Sequence, residues 1–177
     1  MTRARRPLLV LALGAAAIAA VAATGWWGGY RLNFTRSYPL GLWRIVAAEA
    51  PIAVGDRVFI CIPQGPALST GLARGYVRGG VCPGRASPLI KTVAALPGQI
   101  ITIDRSVMID GRPLHHSEIH GVDAEGRALA AYAGGVVPDG HLYLHSDFEG
   151  SYDSRYFGPV PAAGLLGLAR PVATFDP

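Results

Sequence analysis

Of the sixteen basic residues in the chain, fifteen are arginine and one is lysine, Lys91. The difference is chemical. An arginine guanidinium holds its proton at any pH a protein meets, whereas a lysine taken out of water can fall towards neutrality and accept one. Lys91 stands in Pro88-Leu89-Ile90-Lys91-Thr92-Val93-Ala94-Ala95-Leu96-Pro97-Gly98, flanked by apolar residues. As an alternating strand this segment puts Leu89, Lys91 and Val93 on one face, and if that face turns inward the ammonium lies beside hydrocarbon. Lowering its pKa by two to three units from ~10.4 takes about 3–4 kcal/mol of differential solvation, which burial can supply. A neutral amine so placed could take the proton of a serine hydroxyl, which makes Lys91 a candidate general base. The plainer alternative is a composition that favours arginine and keeps one surface lysine.

The other residues with chemical potential read more plainly. His115, His116, His120, His141 and His145 include two H-x-x-x-H spacings, but His116-Ser117-Glu118-Ile119-His120 is not H-E-x-x-H and its surroundings are rich in glycine. Solvated loop histidines are expected, with neither a metal nor a cofactor. Cys61 and Cys82 belong to no C-x-x-C pair and enclose twenty residues rich in glycine and proline. In an oxidising compartment a bridge between them would stabilise by ~3 kcal/mol, so a disulfide is expected, with two buried free thiols as the alternative.

These residues must be positioned by a chain of 177 residues, half of them hydrophobic and 16% charged, which suits one domain and excludes a disordered scaffold. Leu8 to Trp27 carries no charge, and twenty helical residues span about 30 Å, one bilayer core. Arg3, Arg5 and Arg6 precede it and should stay cytoplasmic, while Trp26, Trp27 and Tyr30 suit the far interface. The expectation is an uncleaved anchor over 1–27 in a bacterial inner membrane, with a periplasmic domain over 28–177. A signal peptide cut near Ala20-Val21-Ala22 is the alternative. Removing the three leading arginines leaves thirteen basic residues against twelve acidic ones, so the positive charge is an address, and no nucleic-acid partner is expected.

The body, with 23 glycines and 14 prolines, reads as mainly β. Arg57 to Ile62, Gln99 to Asp104, Val107 to Ile109 and Leu142 to Leu144 are short runs rich in β-branched and aromatic residues. Asp110-Gly111 predicts a type I′ hairpin turn. Residues 112–140 suggest an extended hairpin with irregular parts, including a short helical turn over Ala128 to Ala133. No repeat and no long amphipathic helix is seen.

Three stretches, in order behind the apolar segment, resemble the boxes of the signal peptidase I family of membrane-anchored Ser-Lys endopeptidases. Ser37-Tyr38-Pro39-Leu40-Gly41-Leu42-Trp43 is similar to its nucleophile box. Lys91 through Gly98, K-T-V-A-A-L-P-G, is similar to its lysine box, K-R-V-x-G-x-P-G. His145 through Val160, HSDFEGSYDSRYFGPV, looks like the last box, N-S-x-D-S-R-x-x-G-x-V, with His145-Ser146-Asp147 where G-D-N is usual. Pro39 follows the serine by two positions rather than three, and this S-x-P-x-G-x-aromatic form resembles the conjugative-transfer signal peptidases (TraF type), which mature a pilin precursor and in some systems close it into a ring.

The resemblance implies a signal-peptidase-like β-rich catalytic domain and a role for each matched residue. Ser37 would be the nucleophile and Lys91 its general base, with Ser151 orienting the lysine. Asp153, paired with Arg155, is implicated in activity, and Thr35 would offer a hydroxyl to the oxyanion. The substrate would be a pilin precursor or another exported preprotein. Two other functions stand beside this one: a general type I signal peptidase acting on many secreted preproteins, and a non-catalytic periplasmic β-rich module of a secretion channel.

Overall fold

The structure, a computed structural model, describes residues 5–176, with the side chains of residues 5 and 6 left aside, so Arg3 and Pro177 lie outside the described residues. Helix α1 (Arg5–Trp27) leads into strands β1 (Tyr30–Asn33), β2 (Leu40–Val46) and β3 (Arg57–Ile60), then helix α2 (Pro66–Ala73), β4 (Gly79–Cys82) and β5 (Leu89–Ala95). There follow β6 (Ile100–Ile103), β7 (Val107–Ile109), β8 (Arg112–Pro113), β9 (Gly135–Val136), β10 (His141–His145), a single helical turn α3 (Ser154–Phe157), β11 (Val160–Pro161) and the long β12 (Leu165–Phe175). Two antiparallel sheets result. The larger has the order β1-β2-β12-β3-β5-β10-β11 and the smaller β8-β7-β6-β9.

α1 is long and apolar enough over Pro7–Trp27 to cross a membrane, and none of that stretch is buried against the body. Two glycines connect it to β1. Gly28 N–H continues the helix to Thr24, Gly29 turns at φ 81°, and the Gly29 carbonyl accepts the Ile45 N–H of β2 at 2.8 Å. Arg31 reinforces the junction, its guanidinium 3.8 Å from the centre of the Trp26 ring.

β5 is a central strand, registered against β3 (Val58 opposite Lys91) on one side and β10 (His145 opposite Thr92) on the other. Pro88 before it favours extended backbone, and a Pro97-Gly98 turn stops it, with Gly98 at φ 85° and Gln99 N–H donating to the Leu96 carbonyl. Val58, Ile60, Val93 and Leu144 belong to the main apolar core, while Ala94, Ala95 and Tyr143 pack with Ile101 and Val107 of the smaller sheet. At Gly41 (φ 122°) a side chain would meet the Ala173 carbonyl of β12, so the β2–β12 pairing needs glycine there.

The expected hairpin is present. Asp110 (φ 50°) and Gly111 (φ 74°) both have the positive φ of a type I′ turn, bringing Ile109 opposite Arg112. The helical turn expected over Ala128 to Ala133 is not. That segment forms no helix, and two of its amides are taken by distant carbonyls, Leu129 N–H by Gly121 and Tyr132 N–H by Arg155. Cys61 and Cys82 form a disulfide that ties the end of β3 to the end of β4.

Candidate active site

Lys91 is 2% exposed, in the middle of the larger sheet. Its Nζ contacts Ser151 Oγ at 2.5 Å, the one hydrogen-bond partner it has among the described residues. An ammonium carries three donors, so burial with one partner penalises the charged form. The lysine pKa is accordingly lowered to about 8, by burial first and by Arg155 as well, with Asp153 pulling the other way.

Ser37 lies in the turn between β1 and β2, half-buried. Its hydroxyl donates to the same Ser151 Oγ at 3.4 Å. Ser151 therefore stands between the two, and the legs of 2.5 and 3.4 Å keep Lys91 Nζ within about 6 Å of Ser37 Oγ. The Ser37 carbonyl accepts Ser146 Oγ–H at 2.6 Å, while its N–H has no partner among the described residues. A free, fixed N–H beside a serine hydroxyl is what an oxyanion requires.

Asn33, at the end of β1, holds the turn from within. Its Nδ2 lies 2.9–3.0 Å from the carbonyls of Thr35, Tyr38 and Pro39, and its Oδ1 accepts both the N–H and the hydroxyl of Thr35. Trp43, fully buried, donates its indole N–H to the Pro39 carbonyl, and the Tyr38 hydroxyl pairs with Thr92 at 2.6 Å, locking the turn to β5.

A second polar group backs Ser151. Asp153 caps α3, and both of its oxygens bond the Arg155 guanidinium, at 2.9 and 3.0 Å, with both residues fully buried. Arg155 also donates to the Ser151, Phe148 and Glu118 carbonyls, so one ion pair braces the loop carrying Ser151. His145 Nδ1 lies 3.6 Å from Asp153 Oδ2, and burial lowers the imidazole pKa. His145 is 3% exposed, which corrects the expectation of solvated histidines at that position: β10 runs through the core, and its last residue faces Asp153. His115, His116 and His120 are exposed as expected.

Ser37 and Lys91 open into one groove of about 610 Å³, walled by the β1–β2 turn, by Tyr76 to Val81, by Ser87 to Ile90 and by Phe148 to Tyr152. The structure thus brings Ser37 and Lys91 each onto Ser151 and sets Asp153 and Arg155 behind them. Thr35 is close by but exposed, and its hydroxyl donates to Asn33 at 2.8 Å, so offering it to an oxyanion means releasing Asn33. Sequence reading passed over Asn33, Ser146 and Thr92. Asn33 stands two residues before Thr35, where an asparagine ahead of a turn is a turn-forming signal. Ser146 and Thr92 meet their partners only through the fold.

Comparison with known proteins agrees on one family. The model of the family described as "Signal peptidase, peptidase S26" matches residues 5–173. A "Conjugal transfer protein TraF" of Agrobacterium tumefaciens (strain 15955) is 54% identical over 99% of this chain and 99% of its own. A "Plasmid transfer protein TraF" of Escherichia coli is 35% identical over 99% of this chain and 100% of its own. A crystal structure of a signal peptidase I from Enterococcus faecalis V583 aligns at a TM-score of 0.39 and 20% identity over 68% of this chain and 98% of that one, a superposition too loose to add to the assignment.

Proposed function

The chain belongs to the signal peptidase S26 family, and we propose that it is a membrane-anchored serine endopeptidase that uses Ser37 and Lys91 to cleave an exported pilin precursor during conjugative transfer. One observation carries the reading: the buried amine of Lys91 and the hydroxyl of Ser37 meet on Ser151 Oγ. The names of the relatives, conjugal and plasmid transfer proteins, supply the biological setting. In this reading α1 is the anchor, with Arg3, Arg5 and Arg6 on the cytoplasmic side and residues 28–177 forming the periplasmic peptidase domain.

The proton path follows the contacts. With Lys91 neutral, Ser37 O–H points to Ser151 Oγ, and Ser151 O–H can point to Lys91 Nζ. As Ser37 Oγ bonds to the scissile carbonyl carbon, its proton passes to Lys91, through Ser151 or by a small swing of the serine. The free Ser37 N–H receives the developing oxyanion, and Thr35 adds a second donor only by leaving Asn33. Lys91 returns the proton to the departing amine as the C–N bond breaks, and water hydrolyses the ester. If an α-amine of the same chain is held nearby, it takes the place of water and closes a ring. Asp153 and Arg155 position Ser151 and do not touch the substrate.

The test is precursor processing by the full-length chain in membranes. Ser37→Ala abolishes cleavage and labelling by a serine-reactive acylating probe. Lys91→Arg keeps the charge but cannot become neutral, so it abolishes cleavage while the protein still folds. Cleavage at the native rate by either variant overturns the assignment. A mature product one water lighter than the trimmed chain marks ring closure.

A further inference from the structure

From Gly28 onward the protein is nearly neutral, with thirteen basic and twelve acidic residues. The groove is not. Arg31, Arg36 and Arg78 line the cavity that holds Ser37 and Lys91, and no aspartate or glutamate does. Arg31 is already engaged, stacked on Trp26 and donating to the Trp26 and Tyr30 carbonyls. Arg36 and Arg78 are exposed, and among the described residues neither side chain has an ion-pair partner or a hydrogen bond. They come from two walls. Arg36 immediately precedes Ser37, and Arg78 sits at the entry to β4, on the segment closed by the disulfide.

Two arginines without ion-pair partners in the walls of one cavity, on either side of a serine hydroxyl, offer cations that suit a carboxylate. We propose that the groove selects peptide substrates with an acidic side chain within a few residues of the scissile bond, held between Arg36 and Arg78. This rests on the peptidase reading and names the substrate class of the same site. A peptide is the occupant because a lipid headgroup lodged there would obstruct Ser37.

The experiment separates this inference from the reaction. Full-length Ser37→Ala protein, in a neutral detergent, is titrated calorimetrically with two peptides spanning a pilin cleavage site that differ only by Asp against Asn at one flanking position, scanned across three residues on either side. At least one Asp peptide binds about fivefold more tightly than its Asn partner at low salt, as partly exposed charge pairs allow, and the preference fades at 0.5 M salt. Arg36→Ala with Arg78→Ala removes the preference, and in Arg78→Glu a third peptide, with Lys at the same position, binds more tightly than the Asp one. Equal binding of Asp and Asn peptides at every position overturns the inference, whether or not the wild-type protein cleaves them. So does a preference that survives the double variant, or phosphatidylglycerol vesicles that bind through Arg36 and Arg78 while the peptides do not discriminate. Failure of the peptidase reading shows separately, as the absence of cleavage by the wild-type chain.

Discussion

Activity should rise with pH through the titration of Lys91. The amine is neutral above a pKa of about 8 and charged below it. The competent fraction is then roughly one-tenth at pH 7, half at pH 8 and nine-tenths at pH 9, and kcat/KM on a short peptide should climb about tenfold from pH 7 to pH 9 with a midpoint near 8. The same shift acts on stability. Folding takes a lysine with an ordinary pKa of 10.5 to about 8, which costs the folded state about 3 kcal/mol wherever the folded amine is charged. That cost is complete below pH 8 and disappears as pH rises towards 10.5, because in between only the unfolded chain holds the proton. Urea unfolding should therefore show stability rising with pH from 8 to 10.5, a rise that Lys91→Met removes. A kcat/KM that stays level from pH 7 to 9.5, or a midpoint at 10 or above, would refute the assignment of Lys91 as a buried neutral base.

Three further outcomes follow from the contacts. Asp153→Asn removes the carboxylate that raises the Lys91 pKa, so the midpoint of the pH–rate profile moves below that of the parent, and the uncompensated Arg155 costs about 3–5 kcal/mol in urea unfolding. Asn33→Ala leaves the turn carbonyls of Thr35, Tyr38 and Pro39 without their donor, so kcat should fall about tenfold or more with KM little changed, and stability should fall by about 1–3 kcal/mol. Cys61→Ser should lose the mobility shift between reduced and oxidised gels and about 3 kcal/mol of stability, while two freely alkylated thiols in the exported protein would contradict the bridge.

Much of this is legible in the amino-acid sequence, and the parts that are not share a cause. Lys91 stood out because it is one cation of its kind, and the apolar run bounded by two prolines made its burial depend on which strand face turned inward, which only the fold decides. Asp110-Gly111 announced its turn because φ > 0 at two successive residues restricts residue type. Ser37, Ser151 and Asp153 came from resemblance, since a serine in a turn has no local mark of reactivity. β12 escaped notice: Pro171 interrupts its alternation, yet the strand continues through an irregular register there and pairs with both β2 and β3. α2 was missed at eight residues, although Pro66 at its first turn is a helix-start signal. The alanines of 128–133 suggested helix by propensity, and distant carbonyls outbid them. The clamp of Ser146 on the Ser37 carbonyl joins residues 109 apart, and no window of sequence contains it.

The passage from α1 to β1 has its own consequence. Only Gly28 and Gly29 intervene, both hydrogen-bonded in place, and β1 ends within a few residues of Ser37. With the helix in a bilayer as proposed, this leaves no slack tether on which the domain could swing. The hydroxyl would work at a set altitude above the lipid, so a precursor would have to present its bond at that height, and distance from the membrane would act as a ruler before any side chain is read.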